Sequence, residues 1–447
     1  MKFASLISLG CAKNLVDSES MVRQLSDMGY GMTEDLPVAD LILVNTCGFL
    51  ESAVQEAINA ILQAAAYKEE GRCRMLAVTG CMVQRYGKKL LDQLPEVDLF
   101  LGTSHYHELQ AALESKLAGN PKRLWIARPV HVSGSTPGRV RSTGFYTAYL
   151  KIAEGCGNSC SFCIIPNLRG SLRSRSEDDI LLEATQLASE GVKEINLIAQ
   201  DTTAFGLDRN DPDALSSLLE ALDAVPGLRW IRILYAYPDR ISDRLLQTIA
   251  QSEKVVPYLD IPIQHCVPGV LKAMGRPAEN PERIVDRIRS AIPDVTLRTT
   301  IMVGFPGETR TDFRNLLAFM QRVEFDHAGV FAYSPETGTR AANLPGRPTR
   351  KTAENRRAAL LEVQKEISHR KLQGKVGRTL PVLVEGTHPE TELLLSGRLA
   401  SQAPEVDGNV IITGGNAEVG EILNVEITVA HDYDLEGFIL DNDSKCI

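Results

Sequence analysis

Long apolar runs are missing from this 447-residue chain: the longest, 41–50, is broken by Asn45 and Thr46, and a membrane span needs ~18 apolar residues. The chain is therefore not expected to cross a bilayer. Low-complexity tracts of Pro, Gly and Ser are missing as well. With 44% hydrophobic and 23% charged residues, the composition is that of a folded globular chain, and at about 150 residues per domain its length suggests roughly three domains. The opening stretch MKFASLISLGC lacks the marks of an export or lipoprotein signal, since Ser5 and Ser8 interrupt it and Ser8 stands where a lipobox wants an aliphatic residue. Nine cysteines, an odd count without an export signal, argue against a disulfide framework and for metal or redox chemistry in a reducing cytoplasm.

A surplus of positive charge is missing too. The chain has 48 basic and 57 acidic residues, and residues 376–447 hold three of the former and thirteen of the latter. That acidic segment repels phosphate backbones and suits a basic protein partner, although a solvated acidic face is the plainer alternative.

What is present repeats. Within the first hundred residues an apolar strand ends in a Cys and runs into a helical stretch three times: Phe3 to Leu9 before Cys11, Leu41 to Thr46 before Cys47, and Met75 to Thr79 before Cys81. The spacing is that of βαβ units. In a parallel sheet all three Cys lie at the carboxyl ends of strands, where open α/β folds bind ligands. Cys73 precedes its strand and stands outside the pattern. The N-terminal α/β domain is placed at 1–130, and 131–144, with the composition of a linker, separates it from the central domain.

A second alternation fills 145–374, with strands expected at Ala148 to Ala153, Glu194 to Ala199, Trp230 to Tyr235, Tyr258 to Ile263, Leu297 to Val303 and Ala328 to Tyr333. Six strand–helix units point to a partial (βα)6 barrel, short of the eight that close one, with its site at the strand carboxyl ends. Capping boxes are read at Ser176/Asp179 and Thr309/Asp312. A helix over Arg350 to Leu372 precedes four strand-like runs in 375–447, which suggest a small β-barrel of the kind that binds a polymer.

The loop EGCGNSCSFCIIP holds Cys156, Cys160 and Cys163 as C-x3-C-x2-C, with the aromatic Phe162 before the last Cys. Three thiolates so close can hold three corners of a cubane iron–sulfur cluster and leave the fourth iron open. A structural zinc site would need a fourth ligand, which the neighbouring sequence lacks. Gln200 with Asp201, and Gln264 with His265, end two strands at the barrel mouth and are candidates for cofactor or substrate contact. Gly304 and Gly307, beside Pro306, would let the backbone approach a ligand closely. Arg169, Arg173 and Arg175 form a basic loop that could receive a carboxylate. His105 and His107 receive no role.

The CSFC within C-x3-C-x2-C at the head of six βα units resembles the radical S-adenosylmethionine (SAM) superfamily. With the N-terminal Cys trio, CIIPNLRGSLRSR, TIMVGFPGET and the terminal barrel, the whole chain resembles the methylthiotransferases, and SLGCAKNLVDSES resembles their protein-modifying branch. The resemblance implies a 4Fe-4S cluster on Cys156, Cys160 and Cys163 that binds SAM. It also implies an auxiliary 4Fe-4S cluster on Cys11, Cys47 and Cys81, one SAM as methyl donor and another as radical source. Phe162, Gln200, Gln264 and Gly304 become candidate cofactor contacts, and the terminal barrel becomes TRAM-like. The implied partners are small-subunit ribosomal protein twelve, whose aspartate is methylthiolated, and a reductant such as flavodoxin or ferredoxin. A tRNA-modifying reading shares the core, but the acidic barrel argues against it; an iron–sulfur scaffold without turnover would need no SAM site.

Overall fold

In the computed structural model, residues 1–132, 134, 138–276 and 280–440 are described; residues 133 and 135–137 of the linker, residues 277–279 and residues 441–447 of the acidic segment lie outside them. Strands β1 (Lys2–Ser8), β2 (Tyr30–Met32), β3 (Leu41–Thr46), β4 (Met75–Gly80), β5 (Leu99–Gly102) and β6 (Leu124–Trp125) form one parallel sheet in the order β2-β1-β3-β4-β5-β6. The run LILVNT of β3 is buried along its whole length, as a non-alternating strand between two helical layers must be. β1, β3 and β4 are direct neighbours, so the strand ends that precede Cys11, Cys47 and Cys81 stand side by side. β2, β5 and β6 were not anticipated; at two to four residues each is too short to carry a periodic signal.

The central sheet consists of β7 (Thr147–Lys151), then, beyond a short ribbon of β8 (Ala153–Glu154) and β9 (Arg173–Ser174), β10 (Glu194–Ile198), β11 (Trp230–Ile233), β12 (Val255–Asp260), β13 (Thr296–Val303) and β14 (His327–Ala332). Its six parallel strands lie in sequential order from β7 to β14, the expected open barrel. Two details differ from the sequence reading. The first expected strand breaks after Lys151, and β8 pairs antiparallel with β9, which draws the chain around Cys156–Arg169 into a closed loop. The fourth strand ends at Asp260, since Pro262 has no N–H to extend the ladder. Thr309 and Asp312 form a full capping box, whereas the Ser176 hydroxyl accepts from the Asp179 amide while the Asp179 carboxylate binds Arg175 Nε at 2.7 Å.

β15 (Thr379–His388), β16 (Thr391–Leu399), β17 (Val410–Ile412), β18 (Ile422–Ala430) and β19 (Leu435–Ile439) close into a barrel. The fifth strand escaped the sequence reading because it follows the acidic turn HDYD, yet it pairs with both β17 and β18 and completes the closure. The barrel is docked by buried charge. Arg398, 1% exposed, donates to Glu194 Oε2 (2.6 Å) and to Glu385 Oε1 (2.9 Å), and Arg232 reaches Glu194 Oε1 (2.9 Å). Burial alone would raise the Glu194 carboxyl, but Arg398 and Arg232 together hold it at about 2. Asp407 likewise accepts from Tyr258 Oη (2.7 Å) and Arg298 (2.9 Å).

The stretch read as a linker is pinned: Arg139 pairs with Glu19 of the first helix and with Glu183 (2.9 Å) of the central domain. Among the described residues, no helix is long and apolar enough to cross a membrane.

Candidate active site

The N-terminal trio is assembled at three adjacent strand ends. Cys11 caps the helix Ala12–Asp27, Cys47 follows β3 directly, and Cys81 opens the helix Cys81–Tyr86. A Cβ on Gly48 would lie 2.6 Å from the carbonyl carbon of Cys81, so only glycine lets these two loops close. Asn14, 1% exposed, ties all three together. Its amide donates to Leu9 O (3.0 Å) and Thr46 O (3.1 Å), and its Oδ1 faces Cys81 Sγ at 3.7 Å. Sequence reasoning missed Asn14, whose partners include Cys81, 67 positions away, and Arg169, 155 positions away.

The thiols of this trio differ. Burial pushes the Cys81 thiol up to about 12 and raises Cys47 above its ordinary value. At Cys11 the charges of Lys13 and Arg169 and two backbone N–H groups outweigh burial, so its thiol is lowered.

The central trio occupies the loop after β8. Cys156 N donates to Gly170 O (3.1 Å), Ser161 N to Met274 O (2.7 Å), and Ser161 O accepts from Ala341 N (2.8 Å), so the loop is tied at three points. A Cβ at Gly155, whose φ is +79°, would collide with the carbonyl oxygen of Ser171. Burial pushes the Cys163 thiol up to about 12 and raises Cys156 and Cys160.

The three Cys line a cavity of about 150 Å3 together with Phe162, Gln200, Asp201 and Gln264. Gln200 donates to Glu154 Oε1 (2.6 Å), yet its own Oε1 and that of Gln264 are buried without partners. Such orphaned acceptors, beside three unpaired thiols, fit a polar cofactor in the cavity. Two lining residues, Tyr235 and Gln264, hold φ of 61° and 72°, backbone strain of the kind concentrated at functional sites. Tyr235 and Tyr237 also line the cavity and were not foreseen; no local motif marks them.

Gly304 does not line this cavity. It is pressed on Ala353 of the last long helix, and its N–H is held by the Glu308 carboxylate. His265 is fully buried with Nδ1 accepting from Val267 N (3.0 Å). The basic loop expected to receive a carboxylate is already occupied. Arg169 is enclosed by Asp17 (2.6 Å), Glu154 (3.3 Å) and Asn14. Arg175 binds Asp179 and Glu183 (both 2.7 Å), and Arg173 binds the His131 carbonyl. All eight described cysteines are free, with Cys73 and Cys266 outside both trios.

The N-terminal trio meets the short helix Ile165–Arg169, which follows Cys163. Cys81 packs with Ile164, the neighbour of Cys163, and with Leu168. No three His, Cys, Asp or Glu side chains among the described residues converge as they would on a single ion; a cubane instead takes each thiolate on a separate iron.

The profile of the radical SAM superfamily matches residues 150–320, that of the TRAM domain 376–440, and that of the uncharacterized protein family UPF0004 residues 4–102. Among solved structures, the radical SAM methyltransferase TsrM from Kitasatospora setae superposes with a TM-score of 0.54 at 14% identity, over 74% of this chain and 75% of that one. The cobalamin-dependent SAM radical enzyme OxsB superposes with a TM-score of 0.52 at 13% identity, over 83% of this chain and 56% of that one. At such identities these likenesses speak for the fold alone. Fold, cysteine loop and family match together define a radical SAM methylthiotransferase.

The relatives narrow the class. A protein of Syntrophobacter fumaroxidans named ribosomal protein uS12 methylthiotransferase RimO is 60% identical over 98% of this chain and 99% of its own. Another of that name from Geobacter sulfurreducens is 48% identical over 98% of each. The chain belongs to the ribosomal protein uS12 methylthiotransferase family.

Proposed function

We propose that the chain methylthiolates the β-carbon of an aspartate in ribosomal protein uS12, with one SAM as methyl donor and another as radical source. The observation that carries this reading is the meeting of the N-terminal trio with the short helix that follows Cys163, with Cys81 packed on the residue beside Cys163. Inserting sulfur at an unactivated carbon needs a radical generator and a sulfur carrier within reach of the same atom.

Cys156, Cys160 and Cys163 would hold the SAM-binding 4Fe-4S cluster, and Cys11, Cys47 and Cys81 an auxiliary one. When bound, the first cluster and SAM supply the radical chemistry that breaks the C–H bond. The chain's own residues position and exclude water. Phe162, half-buried against Phe305 with ring centroids 6.5 Å apart, walls the cavity. The buried oxygens of Gln200 and Gln264 offer acceptors to the amino or hydroxyl groups of SAM. Asn158 and Arg240 brace Asp201 at the cavity rim. Gly304 acts one layer out, through its contact with the last long helix.

In this reading residues 1–130 carry the auxiliary centre, 145–374 the radical centre and 375–447 the substrate-binding barrel. The partners are uS12 or the ribosomal subunit that carries it, and a flavodoxin or ferredoxin reductant in the cytoplasm. The acidic barrel supports a basic protein over tRNA: of its described basic side chains, Arg398 is buried, while Glu390, Glu392, Glu418 and Glu421 are exposed.

The test is to incubate anaerobically reconstituted protein with SAM, a reductant and uS12 from cells lacking the gene, and to measure intact mass. One methylthio increment on uS12 is expected. An unchanged uS12 mass, with methylthioadenosine appearing in tRNA offered alongside, would overturn the substrate.

A further inference from the structure

Two centres that act on one carbon must both reach it, so the group that grips the substrate belongs where they meet. Lys13 stands there. It lies two residues beyond Cys11, in the first turn of the helix that Cys11 caps, and it is half-buried. Its ammonium sits 3.3 Å from the centroid of the Tyr235 ring, and Tyr235 lines the cavity of the central trio. One side chain thus bridges the two centres.

Among the described residues Lys13 has no carboxylate ion-pair partner, although the Cys11 thiol lies near it and Asp260 lies behind Tyr235. Asp260, the acid behind Tyr235, accepts the Tyr235 N–H (3.2 Å) and faces Arg298 (3.8 Å). The other cations near the junction already have hydrogen-bonding partners. Arg169 is enclosed by Asp17, Glu154 and Asn14. Arg240 holds Asp201 and Asn158. Arg276 donates to Pro262 O and lies over the Tyr237 ring at 4.4 Å. An ammonium held on an aromatic face with no carboxylate of its own is completed by an anion from outside.

We propose that Lys13 is the specificity residue that receives the carboxylate of the substrate aspartate and so holds its β-carbon between the two cysteine trios. The inference rests on the aspartate reading above. The β-carbon is one bond from the carboxyl carbon, so fixing the carboxylate fixes the carbon to be functionalised. An asparagine of the same shape would keep the hydrogen-bonding geometry but lose the ion pair.

The test compares binding of uS12, and of uS12 with Asn in place of the modified aspartate, to the cluster-loaded enzyme. Wild type is expected to favour the Asp form by about tenfold or more, as a charge-assisted contact implies. Lys13→Met should bind both forms equally, at the level of wild type with the Asn form and with iron content unchanged. Lys13→Arg should keep the preference, and Lys13→Gln replaces Met in the comparison should Met disturb folding. A Lys13→Met or Lys13→Gln protein that keeps the tenfold preference overturns the proposal and leaves the substrate reading standing. Wild type binding the two forms equally also overturns it, and wild type binding neither overturns the substrate reading with it.

Discussion

Asn14 illustrates how much of this site depends on single side chains without chemistry of their own. It holds the carbonyls just before Cys11 and Cys47, and its Oδ1 meets Cys81 and Arg169. Asn14→Ala leaves buried carbonyls and a guanidinium short of partners, at a cost of about 2 kcal/mol. The expected outcome is lower thermal stability and loss of iron from the N-terminal trio alone, measured by iron content and by the spectrum of the remaining cluster; full retention of iron would deny Asn14 its organising role. At this scale the sequence is legible only where spacing encodes chemistry. The six cysteines announce themselves by C-x3-C-x2-C and by recurrence at strand ends. Asn14, Lys13 and Tyr235 do not, because their partners come from distant segments. The arginines of 169–175 read as free charge and are in fact consumed by Asp17, Glu154, Asp179 and Glu183.

Among the elements, β10 links the two ends of the chain. Its first residue, Glu194, is fully buried between Arg232 and Arg398, so this carboxylate helps fasten the terminal barrel to the central sheet, beside the Asp407 contacts with Tyr258 and Arg298. Removing one partner of such a group costs about 3–5 kcal/mol, and Glu194→Gln should lower stability on that scale at neutral pH. The sign of the pH dependence comes from a carboxyl held at about 2. Its ion-pair stabilisation is complete above the ordinary glutamate value of ~4.3 and is lost as pH falls from there toward about 2. The stability gap between wild type and Glu194→Gln, followed by thermal melts, should therefore be constant from pH 7 to 5 and narrow below. A gap that stayed constant down to pH 2.5 would contradict the assignment. Elements with a continuous apolar run or an unbroken helical stretch were legible, as with Leu41–Thr46 and the helix Arg350–Gln373. The two-residue ribbon β8/β9 and the closing strand β19 were not, since tertiary pairing and not local pattern creates them.

In the whole molecule, the three sheets are not beads on a string. Val16 of the first helix, Tyr149 and Ile198 of the central sheet and Leu383 and Ala403 of the barrel share one apolar cluster, so the first helix and the barrel both pack on the open sheet. The three-part order was legible from composition and repeats, and the mutual packing was not. Deleting the acidic barrel would uncover Glu194 and Arg232 as well as remove charge. The central claim is that the two trios hold separate clusters with separate tasks. It is tested most directly by replacing each trio with Ala in turn, and measuring iron, 5′-deoxyadenosine and methylthiolated uS12 on the same anaerobic preparations. Loss of Cys156, Cys160 and Cys163 should remove about half the iron and all SAM cleavage, as a single open-iron site implies. Loss of Cys11, Cys47 and Cys81 should also remove about half the iron, but leave 5′-deoxyadenosine formation largely intact while abolishing the methylthio product. Iron unchanged in either triple variant, or methylthiolated uS12 formed without the N-terminal trio, would contradict it.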